Sequence, residues 1–401
     1  MKRALFVSRI RADASGSGGQ QRRHAALSAL RKVAQVDQLI LGYDRATSAP
    51  DELYLPSLNK PRFSGRRARG LVDRNLVYVA QGWSENMARL SRTDRALLRS
   101  RIGAADYDII YSNRAVCASS VLAALGAKAR SYATYVDLDD LVSDVILANL
   151  RTEGFSRGIQ TGIARAVEAM MVRSAERRVT TACDAAFICS TEDRTRLRAR
   201  CPAANVVVLP NISAARAWPA ADLTGTLRLL FVGSLDYQPN FDGVSWFVGR
   251  IWPAVLDHLR GQVTMTIVGR GSPALGQAFS GVEGLDVHLN VPDLAPFYRH
   301  AHACVVPIRY GGGTSIKTIE AMASNRPILS TAVGVRGLGM QDGAHYLQFE
   351  DAGTFVAACR RLIEDPARKA VLAAAAGRLW QANFSQQAVD DIIASVVATA
   401  P

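Results

Sequence analysis

The sequence predicts an α/β protein of two domains, each a doubly wound parallel sheet covered by helices. Three observations predict it. The chain has 401 residues, more than a single hydrophobic core usually organises. Short apolar runs of strand length alternate with helical patterns, the rhythm of buried parallel strands joined by helical crossovers. That rhythm breaks once, between Asn211 and Thr226, and then restarts.

The elements follow in order. ALFVS at 4–8 reads as a buried strand, ASGSGG as a glycine loop, Gln20 to Lys32 as a helix and VDQLILG as a second strand, a strand–loop–helix–strand unit. YDIIYS (107–112), SYATYVDL (131–138), DAAFICS (184–190) and NVVVLP (205–210) continue the series. The stretch from Asn211 to Thr226, with Pro219 and few large apolar residues, reads as a linker. Strands then recur at LRLLFVGSL (227–235), VTMTIVG (263–269), LDVHLN (285–290), ACVVPI (303–308), RPILST (326–331) and HYLQF (345–349). FSQQAVDDIIASVVATA reads as a last helix behind an N-cap Ser385. The expected domains are 1–215 and 216–384, with 385–401 a terminal helix that packs back on the first. Met170 and Met171, in a helical stretch, are expected in the core.

Composition narrows the function. No apolar run reaches the roughly 20 residues of a membrane span, and MKRALFVSRI runs at once into charged, Gly-rich sequence, so it reads as a strand rather than a signal peptide. The cysteines form no CxxC pair and the histidines no HExxH, which fits a reducing compartment and gives a metal site or disulfide framework no support. The net charge of +13 lies entirely in the first half: through Ala215 there are 33 Lys and Arg against 20 Asp and Glu, and beyond it 15 against 15. Such asymmetry points to an anionic partner for the first domain, a membrane surface or a phosphorylated substrate. The basic stretch Lys60 to Arg74 is its densest part, with Lys60, Arg62, Arg66, Arg67 and Arg69 close together. A nucleic-acid partner is not expected, because aromatic residues do not interleave with the cations.

The segment PIRYGGGTSIKTIEAMASNRPILST, Pro307 to Thr331, carries the chemistry. A glycine turn lets the backbone approach a ligand. The helix that follows presents free N–H groups and the positive end of its dipole, a place for an anion. Lys317 stands in the first helical turn, where a cation opposes the dipole unless a bound anion offsets it. Glu320, three residues on, shares its face and can accept hydrogen bonds from a diol.

This segment, extended to Leu338, resembles the donor-site signature of the family 4 (group 1) glycosyltransferases, whose GT-B fold has two Rossmann-like domains facing a central cleft. FVGSLDYQPNFDGVSWFVGRIWPAV (231–255) is similar to the start of the second domain in members of that family acting on bacterial surface polysaccharides. TIVGRG (266–271) and VPDLAPFYRHAHACVVPI (291–308) fall at matching spacing. In the first half the resemblance is looser, resting on the glycine loop, VDLDD (136–140) and ICSTED (188–193). It implies transfer of a sugar from a nucleotide-sugar donor to a lipid-linked or polysaccharide acceptor, with retention and without a metal, by a cytoplasmic enzyme peripheral at the inner face of the membrane. The nucleotide-sugar is a substrate, so no cofactor is expected.

The implied roles are specific. Gly311, Gly312, Gly313, Thr314 and Ser315 face the donor diphosphate, with Gly18 and Gly19 approaching it from the first domain. Glu320 holds the ribose, the loop after 285–290 meets the base, and Gly233 and Arg309 complete the donor site. Lys317 and Asp137 are the catalytic candidates, Asp137 facing the sugar. Two positions depart from the family. Gly312 stands where many retaining members have the first of two glutamates, and FVGSLDYQPN lacks the basic pair common after the second domain's first strand. Lys317, with Arg309 or an arginine of the first domain, must then meet the diphosphate charge. The departures keep open a non-catalytic sugar-nucleotide-binding partner and a nucleotide-sugar epimerase. The DxD of Asp137 and Asp139, followed by Asp140, is metal-ligating in another glycosyltransferase class, and Asp44 leaves a nicotinamide site open on pattern alone. The second half argues against both.

Overall fold

The computed structural model describes residues 2–14, 16–41, 52–55, 90, 92–153, 159–213 and 225–399. The basic stretch Lys60 to Arg74, Asp44 and most of the expected linker lie outside them. The chain divides into two compact units, Met1–Asn211 with Val389–Pro401, and Ile212–Ala388. The divisions fall a few residues from 215/216 and 384/385, the second inside the last helix.

In the first unit the strands are β1 (Lys2–Ser8), β2 (Ala34–Leu41), β3 (Glu52–Leu55), β4 (Ile109–Asn113), β5 (Ala133–Asp139), β6 (Ala185–Ile188) and β7 (Val206–Val208). They pair in parallel in the order β3-β2-β1-β4-β5-β6-β7. The helices are α1 (Gly18–Val33), α2 (Arg92–Gly103), α3 (Ala115–Leu125), α4 (Val142–Glu153), α5 (Ile159–Ala182) and α6 (Thr191–Arg200). β4 and β6 are buried at every residue, as expected of a parallel sheet covered on both faces. Phe6 stacks on Tyr111 at 5.3 Å between ring centroids, and Tyr111 on Phe187 at 5.7 Å. α6 begins where the Ser190 hydroxyl accepts the Asp193 amide, satisfying one of the helix's free donors.

The second unit repeats the plan. β8 (Leu227–Val232), β9 (Val263–Gly269), β10 (Leu285–Leu289), β11 (Ala303–Val306), β12 (Ile328–Ser330) and β13 (Leu347–Gln348) form a parallel sheet in the order β10-β9-β8-β11-β12-β13. α7 (Gln238–Trp246) runs through a π-helical turn (Phe247–Ile251) into α8 (Trp252–Leu259). α9 (Pro273–Gln277), α10 (Ala295–His300), α11 (Ile316–Ala323), α12 (Ala352–Glu364) and α13 (Pro366–Asn383) follow. Phe247, Trp252, Phe349 and Phe355 knit α7–α8, α12 and the sheet into one core.

α14 (Gln386–Ala398) starts behind Ser385, whose Oγ accepts the Ala388 amide at 3.4 Å. It returns to the first unit: Lys32 Nζ meets Asp390 Oδ2 at 2.5 Å and Lys2 Nζ the Val397 carbonyl at 3.3 Å. One expectation fails. Met170 is 71% exposed, and with Ile163 and Val167 it forms an apolar stripe on the outer side of α5. The opposite face of this helix, with Ala164, Ala169, Val172, Ala175 and Val179, supplies the core contacts. The two-methionine pattern could not say which face was which.

No helix of the described residues is long and apolar enough to cross a membrane. No cluster of three or more His, Cys, Asp or Glu suited to a metal occurs among them.

Candidate functional site

Each sheet grows one way and then the other from its first strand. In the first unit β2 adds on one side of β1 and β4 on the other; in the second, β9 and β11 flank β8. At such a switch point the loops leaving two adjacent strands turn to opposite faces and open a crevice at the carboxyl ends. The predicted site residues gather at these two places.

At the β8/β11 switch point Gly233 opens the first loop and the Gly311–Thr314 turn forms the second. The turn needs glycine: Gly313 has φ 63° and Gly311 φ 155°. Gly233 needs it for closeness, since a Cβ there would lie 2.9 Å from Asn240 Nδ2 and 3.3 Å from Lys317 Cε. α11 opens behind Ser315 as N-cap, with no acidic residue in its first turn. The Ser315 Oγ and the Asn240 Oδ1 are both buried with no hydrogen-bond partner among the described residues. Thr314 is buried beside them in sequence.

Lys317 is enclosed by this arrangement. Burial pushes its ammonium down to about 8, against the opposing pull of Glu320 one turn along α11. A cation desolvated at the positive end of a helix is a charge short of its partner. Arg309 is directed elsewhere than expected: its guanidinium lies over the Trp246 ring at 5.5 Å and 3.5 Å from Asp242 Oδ2. Another cation reaches the turn instead. Arg336 Nη2 donates to the Gly311 carbonyl at 2.5 Å. Arg336 and Asn240 were missed because neither sits in the glycine motif; only the folded loops bring them to it. Beyond β10, Asn290 has φ 55° and its side chain holds both the amide and the carbonyl of Gly271, so the loops after β9 and β10 are fastened together.

At the β1/β4 switch point α1 begins at Gly18 and Gly19. Asp137, near the end of β5, is fully buried. Arg22 donates to it through Nη2 at 2.7 Å and through Nε at 3.0 and 3.1 Å, and the Asp139 amide donates at 3.0 Å. Arg22 also donates to the Leu209 carbonyl at 2.7 Å. The Arg22–Asp137 pair ties α1 to the end of β5, and Arg22 carries the link on to Leu209 beyond β7, so this carboxylate positions α1. Asp139 and Asp140 are held by Arg114 at 2.7 and 2.6 Å, so the DxD carboxylates of this chain face guanidinium groups. Burial pushes the Asp140 carboxyl up, with Arg114 opposing. Asp139 (φ 67°) and Arg114 (φ 72°, ψ 149°) both hold backbone conformations unusual for side-chain-bearing residues, strain of the kind stored at ligand-facing loops. Arg22, Arg23 and Arg114 were not singled out by sequence, since arginines on helical patterns read as solvated surface.

The family model "Glycosyl transferases group 1" matches residues 226–365, which hold the whole β8/β11 site. An uncharacterised 44.6 kDa protein of the Klebsiella pneumoniae cps region is 26% identical over 136 residues, 32% of this chain and 35% of that protein. Glycogen synthase of Mycobacterium tuberculosis is 28% identical over 268 residues, 62% of this chain and 60% of that one. The chain thus spans about a third to three fifths of the length of the curated relatives it matches. Solved structures align over nearly all of it. Sucrose-phosphate synthase from Thermosynechococcus elongatus is 16% identical, covering 99% of this chain and 98% of that chain at a TM-score of 0.65. HepE of Anabaena in complex with UDP-glucose is 13% identical, covering 100% of both at 0.62. The fold is GT-B, and residues 226–365 of the second unit match the group 1 glycosyltransferase model.

Proposed function

We propose that the protein transfers a sugar from a nucleotide-sugar donor, bound at the β8/β11 switch point, to a lipid-linked or polysaccharide acceptor of the bacterial surface, with retention of configuration. The observation that carries the proposal is Lys317, half-buried at the N-terminus of α11 beside the Gly311–Thr314 turn. A diphosphate there meets the turn's backbone amides, the helix dipole, the Ser315 hydroxyl and the Lys317 ammonium. As the glycosidic bond breaks, negative charge grows on the departing diphosphate, and fixed donors of this kind stabilise it without reorganising. Glu320, on the same helix, accepts the ribose hydroxyls. The HepE structure holds UDP-glucose, which makes UDP the first nucleotide to test. Melting curves with UDP, GDP, dTDP and ADP test the binding, because a ligand of the folded state raises the midpoint. Transfer or slow hydrolysis of the matching nucleotide-sugar tests the reaction. A protein that binds none of the four, or binds one without breaking its sugar bond, refutes the reading.

The first unit docks, on this reading, at the anionic inner face of a membrane, where the acceptor lies. The chain's excess charge is all in its first 215 residues, and α5 exposes Ile163, Val167 and Met170 next to Arg165. An apolar helical stripe flanked by cations suits an interface. Co-sedimentation with anionic but not neutral vesicles, released by salt, is the expected result.

A further inference from the structure

Lys369 is the one buried lysine among the described residues, at 5% exposed. It stands in α13, one turn after the N-cap Asp365. A lysine ammonium carries three donors and a full charge. Among the described residues it makes no hydrogen bond and no ion pair. Asp365, the carboxylate one turn back, accepts the Arg368 amide at 3.0 Å. The one charge that acts on Lys369 is the guanidinium of Arg228, a second cation; burial first, and then that charge, push its proton affinity down.

Its direction is informative. A long side chain on a helix lies back over the turn before its own Cα, so Lys369 runs toward the start of α13, where Pro366 and Ala367 are exposed. α13 has 18 residues and no acidic residue in its first turn, and a cation there opposes the helix dipole unless an anion offsets it. A covered lysine ordinarily carries its ammonium out into bulk water. This one ends beside another cation, with its nitrogen still reached by solvent. Arg228 is the second residue of β8. Its Nε donates to the His300 carbonyl at the end of α10 at 2.7 Å. Its amide donates to His302 Nδ1 at 3.1 Å, and its carbonyl accepts the His302 amide at 2.7 Å. These bonds fix Arg228 at the amino end of the sheet. The glycine turn lies beyond the other end of β8, whose 6 residues span about 20 Å.

We propose that Lys369 and Arg228 form a phosphate site at the amino end of the second unit's sheet, which takes the phosphate group of a small molecule other than the donor. A phosphate monoester carries about two negative charges at neutral pH, which matches the two cations. It also supplies the acceptor oxygens that the Lys369 ammonium lacks. The site lies at the opposite end of β8 from the glycine turn and does not rest on the donor reading.

The test is resolved by residue. The full chain is acetylated with a limiting amine-reactive ester, and modification of Lys369 is read by peptide mass spectrometry against that of the exposed Lys128. Inorganic phosphate, at an ionic strength matched with sodium chloride, slows modification of Lys369 about tenfold or more and leaves Lys128 unchanged; acetate at the same concentration protects far less. Protection of Lys317 in the same digest reports the donor site separately, so either reading can fail while the other stands. Ligand-free Lys369→Met melts no lower than its parent, because an unpaired covered cation gives way to an apolar chain of similar length. In a Lys317→Ala background, which weakens the donor site for anions, Lys369→Met shrinks the rise in melting point that phosphate produces. If Lys369→Met does not fold, Lys369→Gln, which keeps a polar chain and loses the charge, shows the same reduced response. Modification of Lys369 at one rate with and without phosphate, or a phosphate response of equal size in the Lys369 variant, overturns the site. Equal protection by acetate overturns its assignment to phosphate.

Discussion

The half-buried Lys317 makes nucleotide binding sensitive to pH in a way that can be worked out. Its ammonium loses its proton near pH 8 in the free protein. A diphosphate bound beside it favours the charged form, so above that pH binding must take up a proton, and affinity falls as pH rises. Between pH 7 and pH 9 the charged fraction of the free protein drops from about nine tenths to about one tenth, so affinity for UDP falls roughly tenfold, or about 1.4 kcal/mol. The range lies above the second ionisation of a phosphate monoester, near pH 6, so the ligand's own charge contributes little. Isothermal titration of UDP from pH 7 to 9 measures the slope. Lys317→Arg, which keeps its charge throughout, abolishes the slope, and Lys317→Met gives weak, pH-independent binding. The stability of the ligand-free protein moves the other way. An unfolded lysine stays protonated to about pH 10.4, so between the two values the unfolded state binds more protons and the contribution of this group to stability rises with pH. UDP affinity that is level from pH 7 to 9, or a slope that persists in Lys317→Arg, would refute Lys317 as the partner of the diphosphate.

Other outcomes follow from the same geometry. Glu320→Ala weakens UDP binding by about 1.5–3 kcal/mol, the worth of hydrogen bonds to a charged acceptor, and calorimetry that finds wild-type affinity removes Glu320 from the ribose. Asp137→Ala strands the buried Arg22 and costs about 3–5 kcal/mol of stability, whereas the paired change Arg22→Met with Asp137→Leu recovers most of it; denaturant titration decides, and full stability in Asp137→Ala contradicts the positioning role. Gly243→Ala places a methyl 2.3 Å from the Pro307 carbonyl oxygen, an overpacking worth about 1–3 kcal/mol, and because Pro307 leads into the glycine turn, UDP affinity falls with it. Replacing Lys60, Arg62, Arg66, Arg67 and Arg69 with Ser weakens pelleting with anionic vesicles and leaves UDP binding unchanged; unaltered pelleting would move the membrane contact to α5.

The sequence by itself determined the parallel strands, the order of the elements and the place of the donor motif. Those features are local: a buried parallel strand must be apolar along its length, and a glycine turn before a helix start presents backbone donors whatever surrounds it. VTMTIVG is β9 residue for residue, and Lys317 falls in the first turn of α11 as its spacing implies. What the tertiary structure decided is the company each polar group keeps. Asp137 and Arg22 are 115 residues apart in the chain, and nothing at either position announces the other; only the fold makes them a buried pair. Arg309 and Arg336 look alike in sequence, yet the fold sends one to Asp242 and the other to the Gly311 carbonyl. Met170 showed the same limit, because helical periodicity reveals that a helix has two faces while only its neighbours determine which of them is covered. Arg22 and Arg23 are adjacent in sequence, and the fold seats one directly on the Asp137 carboxylate and the other beside the Asn113 amide oxygen.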